Sequence, residues 1–358
     1  MASRVHPLLV AFLVVLLVGT CQARPAPGKA ASSSSSGVVD GITAIYNFGD
    51  SISDTGNYLR EGAAAGAMME HTVAPPYGAA IGGATGRCSD GYLMIDYLAK
   101  DLGLPLLNPY LDKGADFTHG VNFAVTGATA LDAAAPREDR RRRAAHQQLP
   151  ERPAPVVQGL MSATTKSPAE VRDKLASSLV MLCGPWWARQ GVLDMGATRV
   201  VIPGNFPLGC APSYLAAVDE TERAAYDGNG CLVGLNLFAQ MHNVLLQQGI
   251  RELRRSYPEA TVAYADYFGA YVRMLERARE MGFDGTALTN ACCGAGGGKY
   301  NFEMERMCGA GGTAVCARPE ERISWDGVHL TQRAYSVMAE LLYHKGFASP
   351  APVKFPHQ

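Results

Sequence analysis

Five runs of β-favouring, mostly uninterrupted apolar residues recur along the chain, at 43–48, 121–125, 178–183, 199–203 and 261–265. Continuous apolarity, rather than alternation, suits strands buried on both faces, the situation of a parallel sheet. Amphipathic patterns of helical period lie between them. Ser89 is placed to cap a helix over 91–102 that sets Leu93, Met94, Tyr97 and Leu98 on one face. Residues 232–257 place Leu235, Phe238, Leu245, Leu246, Ile250 and Leu253 on a stripe, and 331–344 form a third helix with Gly346 just past its end. Strands alternating with helices imply an α/β fold with a mostly parallel, doubly wound sheet. In that architecture sites gather at the carboxyl ends of strands. Ser51, Gly127 and Asn205 all follow predicted strand ends.

The flanks read differently. Residues 1–23 have the form of a secretory signal peptide: Arg4, a short apolar run over 8–18, then small residues. Residues 24–40, with a serine run at 32–36, read as a flexible leader. A single domain is expected over 41–346, with a tail at 347–358. No other stretch is long and apolar enough for a stable membrane span. Formal net charge is −1, which gives no reason to expect a nucleic-acid partner. Residues 136–159, rich in Arg and Pro and without periodicity, read as an atypical solvated loop.

Nine cysteines are present, and Cys21 would leave with the signal peptide. Six of the rest fall late: Cys210, Cys231, Cys292, Cys293, Cys308 and Cys316. In an oxidising compartment this predicts three disulfides and leaves Cys88 and Cys183 over. No His or Cys spacing matches a zinc ligand set, so no metal is expected.

The stretch "IYNFGDSISDTGNYL", residues 45–59, stops a buried strand at a serine set among glycine and aspartate. Gly49 beside it is read as permitting unusual backbone angles, and Asp50 as a turn or cap residue. A serine hydroxyl is a poor nucleophile and needs a base. One is available in "SWDGVHLTQRAY", where Asp326 precedes His329 by three residues, directly before the last predicted helix. That spacing lets the carboxylate hold imidazole Nδ1 and leaves Nε2 free to accept the serine proton.

These segments resemble the plant GDSL esterase/lipase family of the SGNH hydrolase superfamily. The likeness rests on "FGDSISDTGN" (48–57), "APPYG" (74–78), "ATGRCSDGYLMIDYLA" (84–99), "GVNFAVTGATAL" (120–131), "VVIPGNFPLGCAPSYL" (200–215), "CCGAGGGKYN" (292–301) and "WDGVHLT" (325–331). It implies a three-layer α/β/α sandwich of SGNH, flavodoxin-like type. Ser51 would be the nucleophile, His329 the general base and acid, and Asp326 its orienter. Ser51 and Gly127 would supply oxyanion N–H groups. The implied activity is hydrolysis of acyl esters by a secreted enzyme that needs no cofactor, the candidates being acetylated sugars, metabolite esters and lipids. Cys210 and Cys231 are expected to close the loop after the fourth strand. The pairing among the other four stays open.

One departure stands out. The family's Gly-x-Asn-Asp motif should follow the third strand, yet no asparagine occurs between Asn122 and Asn205. The crossover over 184–198 is also short, and apolar sheet surface is expected to be left uncovered there. An enzyme weakened by loss of one oxyanion donor is the first expectation; a binding protein on the same fold is the alternative. Asn205 is read as structural.

Overall fold

The computed structural model describes residues 39–61, 71–128, 167–183, 186–218 and 225–355. The expected signal peptide, most of the leader, and the loop at 136–159 lie outside these residues.

Strand β1, Ala44–Phe48, is buried at every position. It pairs in parallel with β2, Gly120–Asn122, on one side and with β3, Ser178–Leu182, on the other. Beyond β3 follow the parallel β4, Arg199–Pro203, and β5, Thr261–Ala265. A separate ribbon pairs β6, Cys293–Gly294, with β7, Ala314–Val315. The last strand, β8, Ala348–Ser349, adds antiparallel to β5, giving the order β2-β1-β3-β4-β5-β8. The first five strands thus follow the doubly wound order 2-1-3-4-5, whose switch point falls between β1 and β3.

Alternate strand residues feed two separate cores. Ile45, Leu179, Met181, Val201, Ala263 and Ala265 pack with helices α1 (Met94–Asp101), α5 (Tyr267–Glu276) and α6 (Gln332–His344). Tyr46, Phe48, Val180, Leu182, Val200, Ile202 and Val262 face the other way. They meet residues of α2 (Pro168–Ala176), α3 (Trp186–Asp194) and α4 (Val233–Ser256). This is the expected α/β/α sandwich. Full burial of each such aliphatic side chain stabilises the fold by about 1.5–3 kcal/mol.

Several boundaries differ from expectation. Strand β2 ends at Asn122 because the Asn122 side chain accepts the Ala124 N–H at 2.8 Å. The chain still touches β1, through Phe123 N–H to Asn47 O at 2.7 Å and Val125 N–H to Gly49 O at 3.2 Å. Ser89 does not cap the first helix. That helix starts later, at Met94, where Asp96 accepts the Leu93 N–H at 2.9 Å. Arg87 holds the same carboxylate bidentately, with both bonds at 2.7 Å. Within the expected tail, residues 347–355 dock on the domain: β8 joins the sheet, Val353 is buried, and the Lys354 N–H donates to Asp40 at 3.0 Å.

The short crossover covers the sheet after all. Val192 and Leu193 on α3 are buried, and so are Val180, Leu182, Val200 and Ile202 beneath. The exposed apolar surface falls instead on α4. Phe238 and Leu245, expected on the buried stripe, are 62% and 64% exposed, beside Leu237, Met241 and Val244. The large buried apolar side chains of α4 lie in its second half, at Leu246, Ile250 and Leu253, while its first half buries Asn236, Ala239 and Asn243. Helix α3, nine residues and so about 14 Å long, cannot flank a 24-residue partner of about 36 Å along its whole length.

Candidate active site

The end of β1 turns sharply. The Asp50 carboxylate accepts the Ile52 N–H at 3.0 Å, and its carbonyl accepts the Ser53 N–H at 3.1 Å. Gly49 does not serve the turn through its backbone angle. Its φ is not positive, but a Cβ there would stand 2.5 Å from Ser53 Oγ. Beneath the turn lies a buried polar network. Asp54 accepts N–H groups from Gly56, Asn57, Tyr58 and Thr126 at 2.7–3.1 Å. Burial pushes its carboxyl up, and those four bonds oppose the shift. Asn47 donates to Asn122 Oδ1 at 3.0 Å, and Asn122 donates to Ser53 O at 2.6 Å. The serine-bearing loop is therefore fixed from below by side chains on β1 and β2.

Ser51 meets a histidine from the far end of the chain. Its Oγ lies 2.7 Å from His329 Nε2. His329 Nδ1 lies 2.7 Å from Asp326 Oδ2, and both side chains are fully buried. These partners assign the tautomer: Nδ1–H donates to the carboxylate and Nε2 accepts from the serine hydroxyl. Asp326 Oδ1 accepts the N–H groups of Val328 and His329 at 3.0 and 2.8 Å. Burial alone would raise the Asp326 carboxyl, but His329 and these N–H bonds outweigh it and hold the group down at about 2.

The Asp-Gly-Val-His turn needs its glycine. Gly327 has φ +95°, and a Cβ there would lie 2.3 Å from the Phe302 ring. Ser89 and Asp90 fasten the segment after His329: Ser89 Oγ donates to Leu330 O at 3.0 Å, and Asp90 accepts the Gln332 N–H at 2.6 Å. Thr331 then caps α6 by accepting the Ala334 N–H at 3.1 Å. All six predicted cysteines pair: Cys210 with Cys231, Cys292 with Cys316, and Cys293 with Cys308. Cys292 and Cys293 donate backbone N–H groups to Ser324 O and Trp325 O, at 3.0 and 2.7 Å. Two disulfides thus brace the strand of chain that carries Asp326.

Sequence reasoning missed Tyr77. Its hydroxyl donates to Asp326 Oδ2 at 2.8 Å, and its ring stands edge-on to Trp325 with centroids 5.9 Å apart. Burial, then the Asp326 charge, pushes the phenol far upward, so it stays a donor. The residue sits inside the quoted "APPYG", but no local pattern ties it to a residue 249 positions away.

The Ser51 N–H has no acceptor among the described residues. Gly127 sits in an exposed turn at φ +82°, its N–H likewise without a described acceptor, and it does not line the cavity described next. That cavity, about 280 Å³, opens at Ser51 and runs along the ends of β3, β4 and β5. Its wall includes Met181, Phe206, Tyr267, Tyr271 and Tyr343. At the end of β3 the wall is Cys183, a free thiol that opens onto the cavity. Asn205 also lines the cavity. Its backbone is clamped by Asn243, which accepts its N–H at 2.7 Å and donates to its carbonyl at 3.0 Å.

Comparison with known proteins fits this geometry. The profile of the GDSL-like Lipase/Acylhydrolase family matches residues 45–342. Acetylajmalan esterase 2 of Rauvolfia serpentina is 35% identical, over 96% of this chain and 97% of its own. Sinapine esterase of Brassica napus is 34% identical, over 86% of each chain. A GDSL esterase/lipase of Arabidopsis thaliana is also 34% identical, over 86% of this chain and 83% of its own.

Proposed function

The chain belongs to the GDSL-like lipase/acylhydrolase family and is a carboxylic ester hydrolase, and we propose that it works through Ser51, His329 and Asp326. One observation carries this reading: the 2.7 Å contact of Ser51 Oγ with His329 Nε2, whose Nδ1 is held by a buried carboxylate. Ser51 Oγ attacks the ester carbonyl carbon while Nε2 takes its proton. The tetrahedral intermediate collapses, the alcohol leaves with the proton from Nε2, and an acyl group remains on Ser51. Water, deprotonated at Nε2, attacks the acyl carbon, and Ser51 regains its proton as the acid departs.

The developing oxyanion is received by the Ser51 N–H, which has no acceptor among the described residues, whereas the Gly127 N–H that the family resemblance nominates sits in an exposed turn outside the cavity lining. The third family donor has no counterpart after β3, where Cys183 stands. Loss of one such donor typically lowers turnover about 10²–10³-fold. The enzyme is therefore expected to favour activated or tightly held esters. Small-molecule acyl esters are the substrate class, in keeping with the acetylajmalan and sinapine esterases among its relatives. Secretion is the proposed destination. Three disulfides support it, and no described helix is long and apolar enough to cross a membrane.

The test is hydrolysis of p-nitrophenyl acetate by wild type and Ser51→Ala. The expected loss is about 10⁴-fold or more. Equal rates for the two proteins overturn the reading.

A further inference from the structure

Leu237, Phe238, Met241, Val244 and Leu245 stand on the outer face of α4, each between 54% and 67% exposed. The opposite face holds the helix to the domain, through buried Ala239, Asn243, Leu246 and Ile250. An amphipathic helix ordinarily turns charged and polar residues outward. Here the outer face carries no charge: no Asp, Glu, Lys or Arg occurs from 233 to 250, and exposed charges begin only at Arg251, Glu252 and Arg255. Five side chains this large and this exposed amount to roughly 500 Å² of apolar surface, toward the upper end of the about 300–600 Å² that a monomer shows as its largest patch. Patches of that size mark interaction surfaces.

The order of the five residues identifies what fits there. They are symmetric about Met241: Leu237 and Leu245 stand four positions before and after it, Phe238 and Val244 three. A second α4 lying antiparallel across a two-fold axis at Met241 sets Leu237 against the partner's Leu245, Phe238 against the partner's Val244, and Met241 against its own copy. Residue i then meets j as j meets i, which is what an isologous interface requires. Gln248 falls opposite the partner's Gly234, a residue with open space around it. The lack of charge removes like-charge repulsion between two copies, and antiparallel helices oppose their dipoles favourably. Two such faces bury on the order of 1,000 Å² together, the lower bound for a specific interface, which makes the pairing reversible and weak. A membrane surface fits less well. Helices that lie in a bilayer interface carry Lys and Arg beside the apolar face, and none falls along this stripe.

We propose that the outer face of α4 is a self-association surface through which two copies of this chain pair about a two-fold axis at Met241. The pairing goes beyond the hydrolase reading and does not depend on it. The contact lies on the side of α4 turned away from the Ser51 cavity, whose wall at Asn205 is held by Asn243 on the opposite side. In dilute solution the lone chain leaves the face in water, so the stability of the monomer depends little on it.

Sedimentation velocity on the disulfide-bonded chain, over concentrations of about 0.1–100 µM, should show monomer giving way reversibly to dimer. Met241→Glu sets like charges against each other at the axis and is expected to raise the dissociation constant roughly a hundredfold. Two more variants read the register. Leu237→Glu should weaken pairing, and Leu237→Glu/Leu245→Lys, which sets opposite charges against each other across the axis, should recover roughly tenfold of that loss. All three positions are exposed in the lone chain, so the substitutions leave its fold intact. Wild type that stays monomeric across the range overturns the proposal, whether the face is then found covered by the chain's own residues or, in co-sedimentation with phosphatidylcholine vesicles, by a bilayer. A dimer that Met241→Glu leaves unchanged overturns it too, as does a double variant that pairs no more tightly than Leu237→Glu alone.

Discussion

The Tyr77 hydroxyl and the Asp326 carboxylate meet at 2.8 Å, although 249 positions separate them. The oxygen concerned is Oδ2, the same one that receives His329 Nδ1. Tyr77 therefore helps fix the carboxylate that orients the imidazole. Tyr77→Phe removes a hydrogen bond to a buried charged group, which typically contributes about 1.5–3 kcal/mol. The expected outcome is a loss of that order in denaturant unfolding, with kcat reduced more than KM. A variant with unchanged stability and turnover would show that Asp326 needs no such support.

Asp326 also makes a statement about acid stability. Its folded pKa is lowered to about 2, from about 3.9 for an unfolded aspartate. A lowered carboxyl contributes stability that is fully present above the unfolded value and is lost as pH falls through the folded one. The contribution is about 2 kcal/mol. The stability difference between wild type and Asp326→Asn should thus shrink by about that amount between pH 5 and pH 2. Urea titrations at several pH values measure it. A difference that holds constant, or grows, as pH falls would contradict the assigned charge.

The paired cysteines brace the approach to Asp326. Cys292–Cys316 and Cys293–Cys308 span 24 and 15 positions. Removing either bridge by a Cys→Ser pair should cost about 2–4 kcal/mol. Non-reducing peptide mapping should recover these two pairs and Cys210–Cys231, with Cys88 and Cys183 free. Crossed pairs would refute the pairing, and free thiols at these six positions would refute both the pairing and the oxidising compartment.

The register of α4 separates two residues that its periodicity groups together. Ile250 is 1% exposed and Phe238 is 62% exposed. Ile250→Ala is expected to destabilise by about 2–5 kcal/mol, and Phe238→Ser by no more than about 0.5 kcal/mol. Thermal or urea unfolding decides the matter. Comparable losses at both positions would mean the outer face of α4 is covered.

What the sequence disclosed, and what it hid, follows from the range of the interactions. Strand identity was legible because the strands are buried on both faces and leave unbroken apolar runs. Ser51, Asp326 and His329 stood out because a strand end and an i,i+3 spacing are local patterns. Tyr77 was hidden because its partner is distant in sequence, and Ser89 misled because its hydroxyl serves Leu330 instead of a helix N-terminus. Phe238 and Leu245 misled for another reason. A helical stripe records which side chains share a face, not whether a neighbour is long enough to cover it. Gly49 was also misread: its backbone angle is not one that needs glycine.

The account depends most on the activation of Ser51 by His329, and a serine-directed fluorophosphonate reads that contact without regard to natural substrate. Treated wild type, digested and analysed by mass spectrometry, should carry the adduct on Ser51, and His329→Ala should carry little or none. Folded wild-type protein left unlabelled at Ser51, or labelling equal in the His329→Ala variant, would contradict it.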